Sequence, residues 1–268
     1  MHVVVLDRLA DAPATLARTL AEILGKTAYE CRPLVSAPGG GPVIAACHAH
    51  EAEALAVAQQ LRAAGLDATV VADSLAASVR KLIGRSFELG DTAIRIQSRD
   101  GQQVVLPFGE IEVVVRGSVT TRSSQTETTT TRKLDVGRAV LTGGLMMTRK
   151  HKTSHTTTTT DSHGFMIVFS RGAAPPVVPP VVLDEQELQY QSLGADMQPS
   201  RMANFLHLAG QLRKRSPGAT WDERLLRRVA QQQMLGTTLS ADEHLDLAIA
   251  LIAASARRQR AEAGQVCS

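Results

Sequence analysis

The chain has 268 residues, of which 44% are hydrophobic, so it can build buried cores and is not globally disordered. Aromatic residues make up only 3%, and because the surfaces that stack bases are aromatic, no nucleic-acid partner is expected. The net charge of +3 is unevenly placed: residues 118–160 hold seven arginines and lysines against two carboxylates, a net of +5, which leaves −2 for the remainder. Positive charge is therefore concentrated in one segment.

The three cysteines indicate a reducing compartment. Cys31, Cys47 and Cys267 form neither an even set nor a CxxC motif, so reduced thiols are expected. The apolar run at the N-terminus is too short for a signal peptide and has an acidic flank. No run approaches the roughly 20 apolar residues of a membrane-spanning helix. Together these features predict a cytoplasmic protein.

The first 73 residues alternate between strand and helix signals. A valine-rich strand at 2–6 precedes an amphipathic helix that Gly25 ends. Thr27 and Glu30 have the spacing of a capping box for a second helix, which Pro33 is expected to end early. The later elements are strands at 43–47 and 67–72 and a helix at 51–64. This order predicts a small α+β module with its helices on one face of a sheet.

Several pieces of residues 1–73 match a known family. They are Glu22 and Gly25 at the end of the first helix, Glu30-x-Arg32-x-Leu34-Val35, and Glu51-Ala52-Glu53 with Leu61 and Ala64-Gly65 before the last strand. With these pieces the segment resembles the C-terminal domain of the bacterial ribosomal stalk protein. It is similar, more distantly, to the related degron-binding adaptor of the Clp protease.

The resemblance implies a protein-binding module. Members of that family bind other proteins through basic residues on the first two helices, and Arg18 and Arg32 stand at such places here. Ala21 departs from the family, which usually has a cation there. The alternative is that Arg18 and Arg32 are merely solvated. The resemblance therefore predicts protein binding at these two arginines, whereas the departure at Ala21 argues against a ribosomal role.

A predicted linker at 74–84 leads into a second domain at 85–214. Short strand signals follow one another, the proline-broken segment 174–183 is expected at an edge or in a connection, and 187–191 is a candidate last strand. An amphipathic helix then follows the N-cap Ser200, with Met202, Phe205, Ala209 and Leu212 on one face. The order of a small barrel or sandwich followed by a helix resembles that of the pleckstrin-homology-like superfold. The segment VLPFGEIEVV also resembles the strand-turn-strand of such domains.

Residues 215–268 contain two further helix signals. Thr220 with Glu223 and Ser240 with Glu243 have capping-box spacing, and the helices are expected to pack on the β domain or, alternatively, to form a dimer interface. Leu225, Val229 and Met234 are expected on the apolar side of the first of these helices. The whole chain is thus predicted as α+β: a small α/β module, a β domain with a threonine-rich hairpin insert at 118–160, and a helical pair.

No motif for catalysis or cofactor binding is found in the sequence. Gly39-Gly40-Gly41 lacks the following Lys-Ser/Thr of a phosphate loop, and there is no HExxH or GxSxG. Two groups of candidate metal ligands lack structural-zinc spacing, namely Cys47-His48-x-His50 and the set His151, His155 and His163. We therefore predict a non-enzymatic chain with no cofactor and no metal.

Two threonine tracts, 128–131 and 156–160, are mirror images about Gly143-Gly144. Gly-Gly is a favoured two-residue hairpin turn, and threonine is a good strand former, so the tracts are predicted to pair as a long hairpin. Such an arm would reach about 80 Å at roughly 3.3 Å per residue, so either it projects or its polar middle is a mobile loop. Membrane insertion is the third alternative.

The cations of this segment predict an acidic partner. They are Arg132, Lys133, Arg138, Arg149, Lys150 and Lys152, with the hairpin turn at Gly143 and Gly144. The favoured function is that of an adaptor that binds another protein's acidic surface through the first module and this hairpin. The competing function is a peripheral membrane protein whose basic arm meets anionic lipid.

Overall fold

The computed structural model describes the backbone of residues 1–9, 15–74, 80–134, 148–171 and 179–266, with the side chains of these residues except at 121–161 and 263–266. The chain divides into two compact units, one formed by residues 1–119 and 163–268 and the other by residues 120–162. The described elements include helices and two sheets, which confirms the predicted α+β class.

The described part of the first 72 residues includes a small sheet and three α-helices. The elements are β1 (His2–Asp7), α1 (Leu16–Leu24), α2 (Ala28–Val35), β2 (Val43–His48), α3 (Glu51–Ala63) and β3 (Asp67–Ala72). The strands pair antiparallel in the order β2-β1-β3, and the element order is the predicted one. Thr27 and Glu30 form the predicted capping box, and Gly25 ends α1 in the left-handed conformation with φ 64°.

Helix α2 is longer than the sequence predicts. It continues through Pro33 to Val35, so the predicted early end is wrong. A proline inside a helix removes one backbone hydrogen bond, that of the carbonyl four residues earlier. That residue is Tyr29, and both Tyr29 and Pro33 are exposed, so the affected backbone lies on the solvent side of the helix.

The large sheet contains seven strands. They are β4 (Leu82–Leu89), β5 (Ala93–Ser98), β6 (Gln103–Pro107), β7 (Ile111–Leu134), β8 (Thr148–Ser170), β9 (Val181–Asp184) and β10 (Thr220–Leu225). Their order is β10-β7-β8-β9-β4-β5-β6, with parallel pairing between β10 and β7 and between β4 and β9. The predicted barrel or sandwich is therefore one mixed sheet. The resemblance to a pleckstrin-homology-like domain stays a prediction.

Three strand predictions in this region need correction. Residues 82–84 belong to β4 rather than to the linker. Strand β9 lies in the interior of the sheet, between β8 and β4, because Pro179 and Pro180 precede Val181 and remove no ladder donor from it. The segment 187–191 contributes an isolated bridge between Gln189 and Ser86.

Further helices in the described part of the chain include α4 (Arg201–Arg215), α5 (Arg228–Leu235) and α6 (Ala241–Val266). Ser200 caps α4 as predicted, since its hydroxyl accepts a hydrogen bond from the Ala203 N–H at 3.1 Å. The capping box predicted for Thr220 and Glu223 is wrong: these residues lie in β10, and α5 begins only at Arg228. Residues 215–268 therefore hold a strand as well as the helical pair.

Two predicted helix faces are partly wrong. On α4, Phe205, Ala209 and Leu212 are buried as predicted, but Met202 is exposed. Val229 and Met234 were both expected on the apolar side of one helix. On α5, Met234 is buried but Val229 is exposed. In both helices the exposed residue lies beside the buried stripe. A sequence pattern with 3.6 residues per turn locates the edge of such a stripe only to within one position.

Three hydrophobic clusters hold the first compact unit together. The α1–α3 side of the small sheet contains Val4, Leu6 and Leu20. The opposite side of the same sheet, with Val3 and Val5, shares a cluster with α5, α6 and one face of the large sheet. The other face of the large sheet packs against α4. The predicted boundaries at residues 73 and 215 thus lie inside one compact unit, and independent folding of residues 1–73 stays a prediction.

Candidate functional site

The two arginines predicted to bind a partner lie on α1 and α2, helices that pack against each other. Arg18 and Arg32 are both exposed. Neither side chain is hydrogen-bonded or ion-paired to another residue in the part of the chain that the structure describes. The buried side of α2 is formed by Cys31 and Leu34, which leaves Arg32 on the solvent side. Both arginines are therefore available to a partner.

Tyr29 joins these arginines, and the sequence analysis missed it. Its side chain is 76% exposed, and the guanidinium carbon of Arg32 lies 5.7 Å from the centre of its ring. This is a cation–π contact between residues three apart on one helix. The spacing Tyr29-x-x-Arg32 is the sequence signal that could have found it. We call Arg18, Tyr29 and Arg32 the α1–α2 face.

A cleft of about 430 Å³ lies between α2 and β2. Strand β2 is at the edge of the small sheet, because its neighbour in the strand order is β1 alone. We call this the β2 cleft. Its walls come from α2 with the preceding turn, from β2, and from α5 with the following loop: Lys26, Glu30, Pro33, Leu34, Ile44–Cys47, Val229, Gln232, Gln233, Leu235, Gly236, Thr237, Thr238 and Leu239.

Backbone contacts define the floor of the β2 cleft. The Lys26 ammonium donates a hydrogen bond to the carbonyl oxygen of Ala45 at 3.4 Å. Gly236 has φ 72° and approaches β2 so closely that a Cβ atom there would lie 2.8 Å from the carbonyl oxygen of Ile44. Only glycine fits this combination of conformation and contact. The carbonyl groups of Ile44 and Ala45 therefore point away from β1, into the cleft.

The titratable groups of the β2 cleft suit binding better than covalent chemistry. Burial raises the pKa of the Cys47 thiol, and Lys26 opposes that shift only in part, so the thiol is protonated at neutral pH. Hydrogen bonds from the Thr27 hydroxyl and backbone N–H lower the pKa of Glu30. Its carboxylate is thus ionised and held in the helix cap. Lys26 is the one cation among the described lining residues.

The two groups of candidate metal ligands, for which no metal site was predicted, are not brought together where the structure describes them. His48 pairs with Glu53 through Nδ1 at 3.5 Å, and His163 pairs with Asp184 through Nε2 at 3.1 Å. Among the described residues there is no group of three or more His, Cys, Asp or Glu side chains that could hold a metal ion. The other carboxylate oxygen of Asp184 accepts hydrogen bonds from the Gln186 and Glu187 N–H groups.

The threonine-rich segment is described only as backbone. Both threonine tracts lie in strands, Thr128–Thr131 in β7 and Thr156–Thr160 in β8, and β7 and β8 are neighbours in the sheet, as predicted. Five of the predicted cations lie on these strands: Arg132, Lys133, Arg149, Lys150 and Lys152. Arg138 and the turn Gly143-Gly144 lie outside the described residues. That these residues bind an acidic surface stays a prediction.

Comparison with protein-family models, with curated proteins and with solved structures finds no significant match to this chain. Among the described residues, no helix is both long and apolar enough to cross a membrane. The α1–α2 face and the β2 cleft are therefore the features of this chain that bear on its function.

Proposed function

We propose that this chain is a non-enzymatic adaptor that binds another protein through the α1–α2 face. The observation that carries the proposal is the exposed stack of Arg32 on Tyr29. Tyrosine and arginine are over-represented among the residues that dominate binding energy at protein interfaces. A large aromatic side chain that is 76% exposed on an ordered helix is a natural candidate for such a residue.

The geometry of α2 favours binding because it is fixed before a partner arrives. The capping box of Thr27 and Glu30 holds the first turn of the helix, and Cys31 and Leu34 anchor its inner side in the core. The Arg32 guanidinium already rests near the Tyr29 ring, so less conformational entropy is lost when it is immobilised. Preorganisation of this kind raises affinity without any further contact.

The charge of the α1–α2 face indicates an acidic partner. Arg18 and Arg32 have no carboxylate partner in the described part of the chain, so their charges can pair with carboxylates of another protein. Exposed charges steer association and are screened by salt over a Debye length of about 10 Å at 0.1 M. The contact is therefore expected to weaken as salt rises.

A binding role is also supported by the cysteines. Burial raises the pKa of both the Cys31 and the Cys47 thiols, which makes them poor nucleophiles. Neither forms a disulfide, which supports a reducing compartment, and we propose that the protein acts in the cytoplasm.

The proposal is tested by pull-down from the native cell with quantitative mass spectrometry. Tyr29→Ala and the pair Arg18→Glu with Arg32→Glu should each reduce capture of the specific partner at least tenfold, since loss of an interface hot spot costs about 2 kcal/mol or more. Arg99→Glu is the matched control, because Arg99 is exposed in the turn between β5 and β6. If every partner is retained by both α1–α2 variants, this face is not the binding site.

A further inference from the structure

We propose that the β2 cleft binds an extended peptide segment, which adds to β2 as a fourth strand of the small sheet. The site shares no residue with the α1–α2 face, so it goes beyond the function proposed above and is tested independently. The occupant is an extended segment of another protein that presents an apolar side chain and an acidic side chain. Its backbone would pair with the open edge of β2.

The open edge of β2 carries unused backbone groups. In the pairing with β1, Val4 faces Ala46 and Val5 faces Ile44, so Ala45 is the extra residue of a bulge. Its carbonyl accepts from Lys26 instead of from β1. The Asp73 N–H donates to the Met1 carbonyl, so alternate residues of β1, including Val3, direct their backbone groups to β3. The N–H and C=O of Cys47, the partner of Val3 on β2, therefore point to the open edge.

Strand β2 lacks two of the features that usually protect an edge, and the loop after α5 covers it at Ile44. Its residues Val43–Cys47 include no proline and no charged side chain, the two commonest devices against strand addition. Four of its residues, Ile44–Cys47, line the cleft, which corresponds to about 13 Å of strand at roughly 3.3 Å per residue. Addition of a peptide strand to an exposed sheet edge is a recurrent mode of recognition.

The two walls of the cleft specify the side chains of the occupant. Pro33 and Leu34 on α2 form an apolar wall, whereas Gln232, Thr237 and Thr238 form a polar wall on the opposite side. Alternate side chains of an extended peptide point to opposite faces, so one set would meet each wall.

Lys26 fixes the charge preference of the occupant. Its described hydrogen bond is a long one, 3.4 Å to a neutral carbonyl. Glu30, the one carboxylate among the described lining residues, is bound to the Thr27 hydroxyl and backbone N–H. An acidic side chain of the peptide can therefore replace Ala45 as the partner of Lys26, and the vacated carbonyl can accept from the peptide backbone.

The test is selection from a library of random octapeptides on the immobilised full-length chain, followed by affinity measurement of the enriched peptides. We expect alternating sequences with at least one acidic residue. Thr238→Trp, which places an indole in the cleft, should weaken binding at least tenfold. Thr92→Trp is the matched control, an exposed threonine just before β5, and should leave affinity unchanged. Methylation of alternate peptide nitrogens should also weaken binding tenfold.

A second variant and a second measurement keep the test decisive if Thr238→Trp is poorly folded. Lys26→Glu should shift the selected peptides from acidic to basic. In a Cys267→Ser background, a bound peptide should slow the reaction of Cys47 with a thiol reagent at least tenfold. Absence of any enriched peptide overturns the proposal. The proposal is also overturned if the enriched peptides bind Thr238→Trp and Lys26→Glu with the same affinity as the original chain. If the binding of such peptides is lost in Arg18→Glu with Arg32→Glu, they support the α1–α2 face instead.

Discussion

The small sheet and the large sheet are assembled from sequence in different ways. The three strands of the small sheet all come from the first 72 residues, and β1 pairs with both β2 and β3. The large sheet joins distant segments: β10 lies parallel to β7, with Trp221 opposite Val114. Local signals are therefore sufficient to place the strands of the first sheet, whereas the strand order of the second depends on packing between segments that are about 100 residues apart.

The small sheet nevertheless depends on the end of the chain for one of its faces. Side chains of β1 alternate between two cores: Val4 and Leu6 pack towards α1–α3, whereas Val3 and Val5 pack in a cluster with α5 and α6. Burial of both faces of β1 thus explains its run of valines. The sheet is local in its hydrogen bonds and non-local in its core.

The largest expected effect follows removal of the covering helices. Residues 1–73 expressed alone would expose Val3, Val5 and Ile44, which together contribute roughly 5 kcal/mol at about 1.5–3 kcal/mol each. We expect the fragment to retain its α+β fold, with a dispersed amide spectrum, but to be only marginally stable and to bind a hydrophobic dye.

The double substitution Val3→Thr with Val5→Thr is the matched control for the fragment. Threonine keeps the branched β-carbon that favours strands, so the substitutions should reduce dye binding by the fragment while they destabilise the whole chain. Poor amide dispersion in both fragments would mean that residues 1–73 do not fold without α5 and α6, and the predicted domain boundary would be wrong.

A smaller effect separates two adjacent arginines of α6 that contact different sheets. Arg258 donates to the Asp7 carboxylate on β1 at 2.9 Å, and Arg257 donates to Glu112 on β7 at 2.9 Å. The Asp7 side chain is 5% exposed and that of Glu112 is 18% exposed. Arg258→Met should therefore cost about 2 kcal/mol, because it leaves a buried carboxylate without its charged partner. Arg257→Met should cost about 1 kcal/mol or less.

Chemical denaturation of both variants measures the two costs. A third variant, Asp7→Asn with Arg258→Met, removes the buried charge together with its partner and should recover part of the lost stability. If the two single variants are equally stable, the Arg258–Asp7 contact is no stronger than the Arg257–Glu112 contact, despite the deeper burial of Asp7.

Two pairs of residues with the same spacing show how far the fold can be predicted. Thr27 with Glu30 forms the predicted capping box, whereas Thr220 with Glu223 lies in a strand. In the second pair the Glu223 carboxylate binds Arg116 on β7 at 2.6 Å, and β10 pairs along β7. The local signal was the same in both cases, and contacts with a segment about 100 residues away decided the outcome.

The candidate sites show the same division. Exposure of Arg18 and Arg32 follows from the helical periodicity of residues near in sequence. The contact between Tyr29 and Arg32 could have been predicted from the same periodicity. The β2 cleft could not be predicted, because its walls come from α2, β2 and α5, and α5 begins about 180 residues after β2 ends. A cleft between segments so far apart becomes visible only once their packing is known.

The smallest expected effect comes from replacing the threonine of each pair, Thr27 with Glu30 and Thr220 with Glu223. Thr27→Val removes the hydroxyl that accepts from the Glu30 N–H and should destabilise the chain by about 1 kcal/mol. Thr220→Val removes a hydroxyl from a strand, where valine is equally favoured, and should change the stability by less than about 0.5 kcal/mol. Thermal unfolding of the two variants compares the same substitution in two structural settings.

The pH dependence of the first effect identifies its cause. Hydrogen bonds from Thr27 lower the pKa of Glu30 in the folded chain. The Glu30 part of the cap is therefore fully stabilising above the ordinary glutamate pKa of about 4.3 and is lost as the pH falls through the lowered folded value. The stability difference between the original chain and Glu30→Gln should shrink over that acidic range. A difference that stays constant from neutral pH into this range would mean that Glu30 does not act through its charged, hydrogen-bonded form.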